Sequence, residues 1–234
     1  MTRQREAGRR APLNRERVLS AAVALADDGG IESLSMRRLA QELGVVPMAL
    51  YKHVANKEQL LDGMVDAVVA EIDPPGDGAD WKDVVRRRVL SARRVLLRHR
   101  WASQVIESRT GPTPAVLAYL DSMIGTFRDG GFSVDLTHHV MHALGSRLLG
   151  FSQELFDDSG SAGPADAAAI AAMAGRYPRI AELASAAAHD GESVVGRSCD
   201  DQFEFEFALD LLLDGLERLH RQGWTSAGSP RVGG

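Results

Sequence analysis

Apolar residues recur every three or four positions along most of the chain, which is the spacing of amphipathic helices. The one stretch with strand-like alternation, residues 203–207, merges into a helical pattern. Segments rich in Pro, Gly, Asp and Ser, such as residues 73–80 and 157–164, interrupt the helices. We therefore predict an all-α fold, with its main helices over residues 57–72, 81–100, 113–129, 134–156 and 200–220.

Two short helical segments between residues 35 and 57 form the most informative pattern of the chain. Ser35 is expected to cap the first helix, and Gly44 can adopt the positive φ that ends it. A second helix is predicted over residues 46–53, with Leu50 as its inward anchor. Two short helices joined by a tight turn form a helix-turn-helix, whose second helix enters the DNA major groove. An ordinary helical hairpin in a larger bundle is the alternative interpretation of the spacing alone.

The outward positions of this motif carry small, aromatic and cationic groups, as expected of a surface that reads DNA. Ser35, Tyr51 and Lys57 are expected to contact phosphates, while Arg37 suits either a phosphate or a base. The residues expected in the major groove are Pro47, Met48, Ala49, Lys52 and His53. The full predicted DNA-binding set is Ser35, Met36, Arg37, Pro47, Met48, Ala49, Tyr51, Lys52, His53 and Lys57.

A known signature overlaps this motif. Residues 50–61 read Leu-Tyr-Lys-His-Val-Ala-Asn-Lys-Glu-Gln-Leu-Leu. They resemble the Leu-Tyr-x-His/Tyr-Phe/Val-x-Asn/Ser-Lys-x-x-Leu-Leu pattern of the TetR family of bacterial repressors. Residues 13–22 resemble the first helix of the same family, and Asn14 is a suitable N-cap for that helix. The two motifs together cover roughly residues 13–65.

The resemblance implies a domain organisation for the whole chain. A three-helix head containing the helix-turn-helix would bind DNA, and a C-terminal helical domain would bind a ligand and dimerise. A helix between them would couple the two. The implied boundaries are a basic arm over residues 1–12, the DNA-binding domain over 13–57, the connecting helix over 58–73, the ligand-binding and dimerisation domain over 74–222, and a flexible tail over 223–234.

The function implied by the resemblance is that of a ligand-responsive transcriptional regulator, and not of an enzyme. The expected partners are double-stranded DNA, a small organic effector and a second copy of the chain, with no cofactor and no membrane. The two-fold symmetry of a dimer predicts a palindromic operator, from which the effector would release the protein. A repressor is the expected role, and activation stays open.

The distribution of charge is compatible with DNA binding although the net charge is −5. Residues 1–57 hold ten Lys/Arg and six Asp/Glu, a net charge of +4, whereas the remaining residues carry −9. Phosphates need local rather than global positive charge. The basic arm either adds phosphate or minor-groove contacts or is a solvated tail, and both interpretations stay open.

The composition predicts a cytoplasmic protein. Cys199 is the single cysteine, so no internal disulfide can form. No apolar run approaches the roughly 20 residues that span a bilayer, and no secretory signal peptide is visible. A hydrophobic content of 44% and a charged content of 25% are ordinary for a globular domain.

The last two long helices each carry two apolar stripes. In the final helix, one stripe contains Phe205, Leu209 and Leu216, and a second contains Phe203, Phe207 and Leu211. One stripe of each helix can pack in the core of the subunit, which leaves the other for a partner. A helix at the centre of a larger monomer is the alternative. The family resemblance implies the dimer, because these helices form its four-helix interface.

The C-terminal part resembles, more loosely, the effector domain of the tetracycline repressors. Their metal-binding histidine corresponds to Ile106 or Glu107 here, while their acidic metal-water partner is retained as Glu154. We therefore expect an effector pocket without tetracycline–magnesium chemistry, mostly apolar and suited to a medium-sized organic ligand. Its expected walls are Arg88, Ala92, Ile106, Met123, Phe127, His138 and Met141.

Three histidines, His138, His139 and His142, raise the alternative of a metal site. His138 and His142 are four residues apart and can share one helix face, as zinc ligands do. The sequence offers no evident third ligand, so we expect pocket or interface histidines and no metal. A small-molecule-binding helical protein or a metal-dependent enzyme using this cluster is the alternative function, although no nucleophile or phosphate-binding motif accompanies it.

Overall fold

The computed structural model describes residues 12–76, 78, 80–150, 175–179, 182 and 201–228. Within these ranges the chain is helical and contains no strand, which confirms the predicted all-α class. None of the helices in the described ranges is long and apolar enough to cross a membrane. Several predicted features lie outside the described residues, namely the arm up to residue 11, the helix continuation over 151–156, the loop over 157–164, Glu154, Cys199 and the last six residues of the tail.

The chain divides into two compact units, one formed by residues up to 76 together with 91–123 and the other by 77–90 together with residues from 124 onward. The first unit begins with four helices: α1 (Arg15–Gly29), α2 (Met36–Leu43), α3 (Pro47–Leu50) and α4 (Lys57–Val69). The helices that follow are α5 (Trp81–Arg98), α6 (Ala102–Ser108), α7 (Pro114–Asp129), α8 (Val134–Gly150) and α9 (Asp201–Arg221). Helices α5 and α7 each contribute residues to both units.

Local capping explains where α1 and α4 begin. The Asn14 side chain accepts a hydrogen bond from Arg17 N at 2.8 Å, so Asn14 caps α1 as predicted. The Asn56 side chain caps α4 in the same way, through Gln59 N at 2.8 Å. The Gln59 side chain reaches back and accepts from Ala55 N at 2.6 Å. This pairing resembles a capping box that closes one residue early.

The second helix of the helix-turn-helix is shorter than the prediction over residues 46–53. The α-helix spans Pro47–Leu50, and turns continue the chain through His53. His53 N and Val54 N both donate to Leu50 O, at 2.8 and 3.0 Å. Val54 is only 1% exposed, so its burial draws the chain into the core and ends the helix.

One apolar core holds the first unit together. Its centre consists of side chains that are at most 1% exposed, contributed by α1, α2, α3 and α4: Val18, Ala22, Leu39, Leu50, Leu60 and Met64. Trp101, Ala102 and Val105 extend the same cluster from the start of α6. This core fixes α3 from behind, and its predicted anchor Leu50 is fully buried.

The second unit packs α8 and α9 together with the first half of α5. Phe127, Phe132 and Phe205 are fully buried there, and Trp81 meets Phe132 edge-on at a centroid distance of 4.7 Å. Arg86 of α5 binds two carboxylates of α9, with Asp210 at 2.6 Å and Glu206 at 2.7 Å. These hydrogen bonds raise the pKa of Arg86, whose positive charge thereby joins α5 to the carboxylates of α9.

Candidate DNA-binding surface and regulatory elements

The turn between α2 and α3 is built from one cap and one glycine. Ser35 Oγ accepts a hydrogen bond from Arg38 N at 3.2 Å, which confirms the predicted cap of α2. Gly44 has φ 66° and ψ 37°, the left-handed conformation predicted for it. Gly44 N and Val45 N then donate to Gln41 O and Ala40 O at 3.1 and 2.9 Å. These bonds satisfy the end of α2 and fix the direction in which α3 leaves.

The outward face of α3 exposes large apolar and aromatic side chains. Met48 is 71% exposed and Tyr51 is 44% exposed, although both are large enough to favour burial. Pro47 and Lys52 are also exposed, whereas Ala49 and His53 are half-buried. Of the residues predicted for the groove, the exposed ones are therefore Pro47, Met48 and Lys52.

Cationic and hydroxyl groups are also exposed on the helices that precede and follow α3 in the chain. Arg37 and Lys57 are exposed, at the starts of α2 and α4. Arg38, which was not predicted as a site residue, lies 3.5 Å from Ser33 O and 4.0 Å from Asp28 through its guanidinium. Ser35 uses its oxygen as an acceptor in the cap, so its hydroxyl hydrogen can still be donated to a phosphate.

Two residues differ in exposure from what the spacing suggests. Met36, part of the predicted DNA-binding set, is half-buried and packs against the core of the first unit. Val46, absent from that set, is 68% exposed. Pro47 is the sequence feature that could have indicated the exposure of Val46. The residue before a proline is held extended, and Val46 has φ −77° and ψ 146°. Successive residues then face opposite ways, so Val45 packs on the core and Val46 faces out.

A polar cluster around the buried His99 and Trp101 joins the end of α1 to the turn that follows α4. His99 is 4% exposed, and its Nδ1 lies 2.8 Å from Asp27 Oδ1. Trp101 Nε1 donates to the same oxygen at 2.7 Å. The other ring nitrogen of His99 lies 3.3 Å from Glu71, which also accepts from Arg98 at 2.6 Å. Because carboxylates only accept, Nδ1 of His99 carries its hydrogen toward Asp27.

Further polar contacts follow α4 along its length. Arg109, just after α6, binds Glu58 and lies 3.3 Å from Asp62. Asp66 accepts a hydrogen bond from Ala115 N at 3.0 Å, near the start of α7. Two segments of the first unit, after α6 and at the start of α7, thus contact one face of α4, which was predicted to be the connecting helix.

The predicted pocket residues are mostly buried. Ala92 and Phe127 are fully buried, while Met123 and Arg88 are 2% and 6% exposed. Ile106 and Met141 are half-buried, whereas His138 is exposed. Ala92, Ile106 and Met123 belong to the first compact unit, and Arg88, Phe127, His138 and Met141 belong to the second.

The three histidines of α8 are close neighbours. The ring of His138 lies 4.7 Å from that of His142 and 5.2 Å from that of His139, between centroids. His139 Nε2 is 3.7 Å from Asp135, whose carboxylate accepts from Ser226 N at 2.6 Å. The bonds from Ser226 lower the pKa of Asp135. Among the described residues, no group of three or more His, Cys, Asp or Glu side chains is arranged to hold a metal ion.

The two stripes predicted on α9 differ in exposure. Phe205 and Leu209 of the first stripe are fully buried, and Leu216 is 6% exposed. The second stripe is exposed: Phe203, Phe207 and Leu211 are 61%, 53% and 58% exposed, and the two phenyl rings are nearly parallel at a centroid distance of 6.3 Å.

Comparisons with known proteins agree with this architecture. Residues 18–64 match the family model of bacterial regulatory proteins of the tetR family, and residues 74–220 match that of the tetracyclin repressor-like C-terminal domain. The HTH-type transcriptional repressor DrrR1 of Streptomyces coeruleorubidus is 32% identical over 231 residues, covering 92% of this chain and 81% of that protein. The class C tetracycline repressor protein of Escherichia coli is 29% identical over 210 residues, covering 88% and 92%.

Solved structures of similar fold support the same family. Apo ActR from Streptomyces coelicolor superposes with a TM-score of 0.72 and 27% identity, covering 92% of this chain and 99% of that one. ActR in complex with actinorhodin gives a TM-score of 0.68, also at 27% identity, with coverages of 89% and 98%. The match to both family models and to a repressor over nearly the whole chain shows that this protein belongs to the TetR family of DNA-binding transcriptional regulators.

Proposed function

We propose that this protein is a homodimeric repressor that binds a palindromic operator and leaves it when a small organic molecule binds. The exposed face of α3 is the observation that carries the proposal. Met48 and Tyr51 are exposed there beside the cation of Lys52, while Leu50 behind them is fully buried. A rigid support with an exposed, partly cationic surface is what insertion into a major groove requires.

Each predicted contact has a role in this proposal. Tyr51, Lys57 and the Ser35 hydroxyl would hold phosphates and set the register of the head on the duplex. Pro47, Met48, Ala49, Lys52 and His53 would face the bases, and Arg37 would serve at either place. The +4 charge of residues 1–57 would draw the head to DNA, although the chain as a whole is acidic.

Dimerisation is supported by the exposed stripe on α9. Three large apolar side chains at helical spacing are exposed on one face of a helix whose other face is already buried. Burial against the same stripe of a second copy would remove them from water. Two heads related by a two-fold axis would then need two half-sites in inverted orientation.

The effector would be an organic molecule held without a magnesium bridge. ActR, similar to this chain over most of its length, binds actinorhodin. Ile106 or Glu107 stands where the tetracycline repressors place their metal-binding histidine, so tetracycline with magnesium should bind poorly. Binding would favour a dimer geometry whose heads no longer match the operator, which is linkage between the two sites.

Selection of random DNA duplexes by the purified, ligand-free protein, followed by sequencing, tests the proposal. We expect an enriched inverted repeat whose affinity falls steeply as salt concentration rises. Actinorhodin and tetracycline–magnesium are then added to the complex, and release by the first but not the second is expected. Failure to enrich any sequence at low salt would contradict the assignment of residues 35–57 as the reading head.

A further inference from the structure

The first turn of α3 exposes no strong hydrogen-bonding side chain. Val46, Pro47, Met48 and Ala49 follow one another there, and Val46 and Met48 are 68% and 71% exposed. A methionine thioether is at most a weak acceptor. This turn therefore lacks the groups with which arginine, asparagine or glutamine identify a base from its donor and acceptor pattern.

The surroundings of this apolar patch indicate what covers it. Exposed cations at Arg37, Lys52 and Lys57 lie on the neighbouring elements, and charge of this sign suits a polyanion. The apolar group that a major groove presents is the 5-methyl group of thymine, since the other base edges offer donors and acceptors. An exposed valine and methionine are chemically matched to that methyl group and to little else in a groove.

We propose that the first turn of α3 selects the operator through apolar contact between Val46 and Met48 and the 5-methyl groups of thymines. The inference rests on the proposed function, because it requires α3 to lie in the major groove. It makes Val46 and Met48 specificity-determining residues. It leaves hydrogen bonding to base edges to Arg37 and to Lys52 and His53, which lie on the turns that follow α3.

Replacement of thymine by uracil in the selected operator tests the contact, because it removes the methyl group and keeps the base pair. Each thymine is replaced in turn, symmetrically in both half-sites, and the affinity of the full-length protein is measured at one salt concentration. We expect one or two positions at which the symmetric change weakens binding by about 15-fold. That value corresponds to a loss of about fourfold in affinity for each methyl group that is no longer buried, and the symmetric change removes two of them.

Two variants assign the effect to the side chains. Met48→Ala and Val46→Ala alter exposed positions, so circular dichroism should show unchanged helicity. Each variant should bind the thymine operator more weakly and lose the penalty for uracil at the position that it contacts. Lys52→Ala is the matched contrast: it should weaken binding to the thymine and uracil operators by the same factor and keep their ratio.

The possible outcomes distinguish a failure of the thymine contact from a failure of the proposed repressor function. Specific, salt-dependent operator binding without a uracil effect at any position would overturn the thymine contact and leave the repressor assignment standing. A uracil effect that persists in both alanine variants would come from another side chain, such as Pro47 or Ala49, or from the shape of the duplex, and either source overturns the contact. A protein that selects no sequence would overturn the proposed function and this inference together.

Discussion

Gly63 shows how one residue sets the spacing of two helices in the DNA-binding unit. It lies inside α4, where glycine is normally unfavourable by about 1 kcal/mol relative to alanine. A Cβ at this position would stand 2.7 Å from Leu19 Cδ2 and 2.9 Å from Arg15 Nη2 of α1. The absent side chain therefore allows a closer approach of α1 and α4 than alanine would permit.

We expect Gly63→Ala to lower the free energy of unfolding by about 1–2 kcal/mol, because the clash with the buried Leu19 outweighs the gain in helix propensity. Urea denaturation followed by circular dichroism measures the change. Gly125→Ala is the matched control in α7, where an added Cβ has no atom within 4 Å. That variant should be neutral or slightly stabilised, and equal destabilisation of both variants would contradict the close approach.

Residues whose role is local could be predicted from the sequence. The caps Asn14, Ser35 and Asn56 each act on an amide three positions away, so a short stretch of sequence contains both partners. Gly63 could not be predicted in this way, since the atoms that exclude a Cβ lie 44 and 48 positions earlier. The exposure of Val46 was missed because a valine beside a helix start is ordinarily assigned to the core.

At the scale of elements, α4 is held by polar contacts that the helical spacing did not reveal. The periodicity predicts a helix over residues 57–72, and the structure has Lys57–Val69 followed by turns through Ile72. The cluster of Asp27, His99 and Trp101 joins residues more than 70 positions apart, so periodicity carries no trace of it. Polar partners of this kind become visible only when the helices are packed.

We expect Asp27→Ala to destabilise the first unit by about 2–4 kcal/mol. The change would leave two donors, His99 Nδ1 and Trp101 Nε1, without their acceptor, and a buried unsatisfied donor costs about 1–3 kcal/mol. Urea denaturation followed by circular dichroism measures the loss of stability.

The neighbouring residue supplies the control for this variant. The Asp28 side chain is 83% exposed and reaches Arg38 only at 4.0 Å, so Asp28→Ala should change stability by less than about 0.5 kcal/mol. Equal effects of the two substitutions would mean that helix propensity at the end of α1, and not the polar cluster, determines the result.

For the whole molecule, the sequence predicts the fold class and the family more completely than it predicts the residues of the effector site. The head is specified by short motifs, and both family models match as the resemblance implied. The expected pocket walls come from alignment with distant relatives, and the residues range from the fully buried Ala92 to the exposed His138. The shape of a pocket depends on how several helices pack against one another, and no local sequence pattern encodes that packing.

The exposed stripe on α9 predicts that one substitution in it weakens both dimer assembly and DNA binding. Phe207→Glu places a charge in the centre of an apolar surface that two subunits would share. Because two-fold symmetry introduces the change twice, the dimer dissociation constant should rise by on the order of 100-fold or more. Analytical ultracentrifugation measures the association, and operator affinity should fall in parallel because single heads bind one half-site each.

Gln222→Glu adds the same charge at an exposed position just after α9 and should leave both the dimer and operator affinity unchanged. Since Phe207 is 53% exposed, both variants should keep the helicity and thermal stability of the individual subunit at high dilution. A Phe207→Glu protein that remains a dimer and binds its operator normally would show that another surface joins the subunits. A monomer that still bound the full palindrome with undiminished affinity would instead remove the link between two-fold symmetry and operator recognition.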